Sequence, residues 1–148
     1  MKNPISGKAT FFALGVAALL WVTPAGAQVS TMRMEIPFTF VAGDQVLPAG
    51  QYVVTVDQNL RRCRFDNLSD SILRVVRLAT TTDSRPLTKT AKGTLRFTRY
   101  GGQQFLSAVW RPGQEDGNRV VASKRLLEAA KSKGSDGSPE VTTVVTPN

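Results

Sequence analysis

Ten basic side chains fall between residues 61 and 99: Arg61, Arg62, Arg64, Arg74, Arg77, Arg85, Lys89, Lys92, Arg96 and Arg99. Three acids, Asp66, Asp70 and Asp83, share that stretch, which carries a formal +7. The rest of the chain beyond residue 27 carries −1. Arginine grips phosphate or carboxylate through two parallel N–H donors, so the chemistry on offer is anion binding. The candidate polyanion-binding residues are Arg61, Arg62, Arg64, Arg74, Arg77 and Arg96. A localised positive field favours anionic envelope polymers or lipid headgroups, and no specific nucleic acid is expected. The charges are scattered rather than run together, which suits a solvated sheet face that blunts strand edges.

Other chemistry is sparse. The 148 residues contain no histidine, which removes His-based acid–base catalysis, Ser-His-Asp and Cys-His sites, and most zinc sites. Glu115-Asp116 is an adjacent pair in a Gly-containing loop, as solvated turn residues are. A glycosidase needs two carboxyl groups across a cleft, and Glu35 has no nameable partner. No catalytic residue, cofactor or metal ligand is expected. Cys63 is the only cysteine, so no internal disulfide forms. Its alternate spacing with Phe65 reads as a small buried hydrophobe, against a reactive thiol or an intermolecular bridge. Phe38, Phe40, Phe97 and Trp110 are the candidate core or pocket aromatics.

The compartment follows from residues 1–27. Lys2 and Lys8 precede an uncharged apolar run from Phe11 to Val22, then Pro24 and a small-x-small cleavage pattern, Ala25-Gly26-Ala27. This reads as a signal peptide removed before Gln28. The run is shorter than the roughly 20 residues of a spanning helix, so after cleavage the protein is not expected to be integral to a membrane. Export to the periplasm or the extracellular medium is expected, with a β domain over residues 28–133 and a loose tail over 134–148.

Strand signals dominate that domain. Met32, Met34, Ile36, Phe38 and Phe40 alternate with Arg33, Glu35, Pro37 and Thr39, as in a strand with one buried face. Pro37 places this strand at an edge or a bulge. Leu47-Pro48-Ala49-Gly50 predicts a type I turn into a strand over 51–57. A third strand covers 61–65. Residues 72–78 read as a strand buried on both faces, and 79–93 as a long exposed loop. Gly101-Gly102 predicts a tight hairpin whose core face is Leu95, Phe97, Leu106, Ala108 and Trp110, with Arg99 near its turn. Phe105 and Val109 then lie on the other face. A helix capped by Ser123, with Leu126, Leu127 and Ala130 as its stripe, is the candidate cover for that face. Val141 to Val145 has strand composition without a turn to set its register.

The segments Ile36-Pro37-Phe38-Thr39-Phe40-Val41-x-Gly43, Leu47-Pro48-Ala49-Gly50-x-Tyr52 and Phe97-x-Arg99-Tyr100-Gly101, with Phe105-Leu106 and Trp110, resemble a group of short exported bacterial proteins of uncharacterised activity. The resemblance spans most of the domain up to the helix and carries over no site residue.

The expected fold is mainly β: a single antiparallel β-sandwich or half-open barrel of about six strands with one C-terminal helix. The expected function is a non-enzymatic binding or structural module of the bacterial envelope. The alternatives are a small apolar-ligand carrier with a barrel cavity, and a hydrolase with an unrecognised carboxylate pair.

Overall fold

A computed structural model describes residues 29–71, 73–83, 92–132 and 139–147. The expected signal segment at 1–27 lies outside the described residues, as do 84–91 of the expected loop and most of the first half of the expected tail.

Alternation builds β1 (Val29–Ile36), with Met32, Met34 and Ile36 buried and Arg33 and Glu35 exposed. The apolar alternation continues to Phe40, but the strand does not. Pro37 has no amide to donate, and the chain leaves β1 at Ile36. It re-enters as β2 (Phe40–Ala42), against different partners. The single strand expected over 32–40 is therefore two. β3 (Gln45–Leu47) follows, and the chain bends at Ala49 where the turn is expected. There Tyr52 Oη donates to Pro48 O at 2.6 Å.

Next come β4 (Gly50–Asp57), β5 (Arg62–Asn67) and β6 (Leu73–Asp83), all antiparallel neighbours. β6 differs from expectation twice. It is buried on one face only, through Val76 and Leu78, while Leu73 and Val75 are exposed. It also runs on to Asp83, so 79–83 are strand rather than loop, paired with β9 (Gly117–Val120). β7 (Thr94–Tyr100) and β8 (Gln103–Trp110) form the expected hairpin, with Gly101 and Gly102 at φ 55° and 80°. α1 (Lys124–Ser132) starts as expected, Ser123 Oγ accepting from Leu126 N at 3.2 Å. It buries none of its residues; Leu126 is half-buried, whereas Leu127 and Ala130 are exposed, so it covers the sheet only lightly. β10 (Glu140–Val145) pairs antiparallel with β7, making part of the expected tail a strand. Its register was illegible because it is set across space by β7. No helix among the described residues is long and apolar enough to cross a membrane.

The described strands number ten rather than about six. They form one sheet, not closed into a barrel, in the order β1-β4-β5-β6-β9-β8-β2-β3, with β7 on β8 and β10 on β7. β6 belongs to both halves: residues 73–77 pair with β5, and the strand pairs with β9 from Leu78 onward. The halves face each other over one core. Met34, Ile36, Tyr52, Val54, Val56, Cys63 and Phe65 come from one half, and Phe40, Leu47, Leu95, Phe97, Leu106 and Val109 from the other.

The hairpin face departs from the simple alternation. The register runs as expected from Tyr100↔Gln103 to Phe97↔Leu106, and then an irregularity leaves Ser107 without an opposite residue. Arg96 now faces Ala108, Leu95 faces Val109 and Thr94 faces Trp110. One extra residue reverses the side on which everything beyond it falls. Val109 therefore joins Phe97 and Leu106 in the core, and Ala108 and Trp110 turn to the opposite face. Ser107 Oγ donates to Arg96 O at 3.0 Å. Trp110 is still buried, 1% exposed, against Gly117 and beneath the Arg96 guanidinium, 4.4 Å from its ring centroid.

A Cβ at Gly117 would enter the Trp110 indole. Gly117→Ala is expected to destabilise by about 1–3 kcal/mol through overpacking, and Trp110→Ala by about 3–5 kcal/mol through loss of a buried aromatic. The double variant should cost less than the sum, because truncation of the ring removes the clash. Urea midpoints of the four proteins measure this cycle; additivity would mean the two residues do not touch.

Cys63 is fully buried, and burial pushes its thiol far above the ordinary range. Burial also raises the Tyr52 hydroxyl, opposed by its hydrogen bond to Asn67 and assisted by the Asp70 charge. Both groups stay neutral when folded and ionise near pH ~8.5 and ~10 once unfolded. Their contribution is thus full below pH ~8.5 and is lost progressively as pH rises from there toward the raised folded-state values. Unfolding free energy should fall above pH ~9, with Cys63→Ala flattening the first part of the decline. A thiol reagent should label Cys63 only in denaturant.

Candidate functional site

The register of β4, β5 and β6 decides which arginines meet. Cys63 and Phe65 point into the core, so Arg62 and Arg64 point out of β5. Val76 points in, so Arg77 points out of β6. Arg62 and Arg77 lie directly opposite each other. Leu78 N donates to Arg61 O at 2.8 Å, which makes the preceding Arg62–Arg77 position a non-hydrogen-bonded pair. In such pairs the Cα atoms approach to about 4.5 Å and the side chains are closest. Neither guanidinium forms an ion pair among the described residues. Asp57 faces Arg62 from β4, but its Oδ1 accepts from Leu60 N at 3.0 Å.

Arg61 stands beside this corner in the β4–β5 turn, with φ 46° and its N–H donating to Gln58 O at 3.2 Å. Arg64 shares the outward face but is neutralised by Asp66, Nε to Oδ2 2.8 Å. Arg33, exposed on β1, also faces outward; it was missed because it sits outside the dense stretch, although its odd position in the alternation marks it.

The remaining candidates lie elsewhere. Arg74 has the inward parity of Val76 and folds along the β6 edge, Nη1 donating to Leu73 O at 3.0 Å. Arg96 lies on the outer face of the other half, over Trp110. Arg99 keeps the Phe97 side of β7 and, near the hairpin turn, reaches solvent, where it pairs with Glu140 at 3.2 Å. Six candidate arginines therefore reduce to one corner of Arg61, Arg62 and Arg77, with Arg64 beside it.

The aromatic candidates do not line a common cavity. Phe38 and Phe40 pack on Phe97 with centroids 5.1 and 5.3 Å apart, edge to face, and Phe40 also meets Tyr52 and Phe65. Trp110 lies on the other face of the sheet. Glu35, Glu115 and Asp116 are exposed, and no group of three or more Cys, Asp and Glu side chains among the described residues is placed to hold a metal ion.

Comparison with protein-family models, with curated proteins and with solved structures returns no match to this chain.

Proposed function

We propose that the chain is an exported, non-enzymatic binding module of the bacterial envelope that holds anionic polymers or lipid headgroups at the Arg61–Arg62–Arg77 corner. In this reading the two facing halves of the sheet are the layers of a β-sandwich, and residues 1–27 deliver the domain and are removed. The carrying observation is the Arg62–Arg77 pair. Like charges directly opposite on adjacent strands repel and destabilise the pair, and a non-hydrogen-bonded register is the one that brings cross-strand side chains closest. A phosphate or carboxylate between them relieves that repulsion and accepts paired N–H donors from each. The packed Phe38, Phe40 and Phe97 rings supply no comparable support for an apolar-ligand carrier.

Retention on immobilised heparin and on anionic vesicles across a salt series tests this reading. Retention should fall steeply with salt, because exposed charges are screened beyond ~8 Å at physiological ionic strength. Arg62→Gln with Arg77→Gln should abolish most of it without lowering the unfolding midpoint, since the exchange also removes a repulsive pair. Arg96→Gln should leave retention near that of the parent. Equal retention by the double variant and the parent refutes the corner as the site.

A further inference from the structure

The β5–β6 ladder leaves one side of β6 open. Because Leu78 N bonds to Arg61 O, the backbone groups of Leu78, Val76 and Arg74 point at β5. Those of Arg77, Val75 and Leu73 point away, as alternate residues do in an antiparallel ladder. On that far side β9 reaches only the first position: Val121 N donates to Arg77 O at 3.0 Å, and the chain then turns into α1. No described strand pairs with Val75 there. Its N–H and C=O open into a cleft of ≈ 470 Å³ whose opposite wall is the β2–β3 turn at Gly43, Asp44 and Gln45. Arg74 lies along this edge with its Nε buried and without a partner. Leu73, Val75 and Val121 are each about half exposed at the same opening.

We propose that this gap is a slot for an extended acidic peptide, which adds to β6 as a strand and carries carboxylates in alternation with β-branched residues. A row of unpaired backbone donors and acceptors is recognised by another peptide backbone. Side chains of an added strand alternate between faces. One set covers the exposed Leu73 and Val75, and the other presents its carboxylates to the Arg74 guanidinium, which lines the cleft. Two arginines, Arg74 and Arg77, border the cleft against one carboxylate, Asp44, so charge selects an acidic peptide over a basic one. The slot reads backbone as well as charge, and so goes beyond the anion-binding corner.

Val75→Pro separates the two. It removes the N–H that points into the cleft, touches no donor used by β5, and alters no charge. The probes are a fluorescent acetylated hexapeptide of alternating valine and glutamate, and its valine–lysine counterpart. In the free protein the Val75 amide should exchange at least tenfold faster than the Val76 amide, and saturating valine–glutamate peptide should slow it at least tenfold. Val75→Pro should weaken peptide binding at least tenfold in fluorescence anisotropy while leaving heparin retention and the thermal midpoint unchanged. Should the variant unfold, a peptide N-methylated at alternate amides replaces it and should bind at least tenfold more weakly to the parent protein. A Val75 amide already as protected as Val76 overturns the proposal. So does equal binding of the lysine peptide, or binding insensitive both to Val75→Pro and to N-methylation.

Discussion

Phe40 is the contact through which the two halves of the sheet hold each other. Its ring meets Tyr52 and Phe65 from one half at 5.5 and 5.8 Å, and Phe97 from the other at 5.3 Å. Each such aromatic pair adds about 0.5–1.5 kcal/mol to the area it buries. Yet Phe40 sits on a three-residue strand that would have no stability alone. Pro37 ends β1 and frees the chain to cross, and β2 then pairs with β3 and, in parallel, with β8. The burial of Cys63 and Tyr52, and the outward direction of the arginines beside them, both follow from this closure.

Local order was legible wherever a short period or a single residue type dictates it. The alternation around Met34 marks β1, two glycines with positive φ mark the β7–β8 turn, and Ser123 marks the start of α1. The failures share one cause, which is that partners are chosen across space. No local pattern announces that Phe40 pairs beside Gln104, or that the segment from Glu140 returns to β7. Ser107 shows the sharpest case: one unpaired residue sends Trp110 to the face opposite Phe97 although both keep the apolar spacing. β6 reads as buried on both sides because Val and Ile crowd it, yet Leu73 and Val75 border an opening that no described strand fills.

The charge excess was legible as a count but not as a place. Register turns Arg62 and Arg77 toward each other, sends Arg74 along an edge, and buries much of Arg96 against an indole. It also sets Arg64 beside Asp66, which cancels a charge that a sum over the segment retains. What distinguishes the corner is therefore not its share of the net charge but a like-charged pair, Arg62 and Arg77, that lies directly opposite across the β5–β6 ladder and forms no ion pair among the described residues.

β10 covers the outer edge of β7, and that edge is one flank of the β7–β8 hairpin. β7 and β8 are joined by a two-residue turn and can zip together within microseconds of becoming available. The strand that seals their flank is made only after β8, β9 and α1. Synthesis therefore opens an interval in which a finished hairpin presents a row of bare amides and carbonyls to any neighbouring chain, an invitation to intermolecular pairing. β10 works as a latch whose lateness relative to β7 and β8, rather than whose strength, sets how long the nascent hairpin needs shelter.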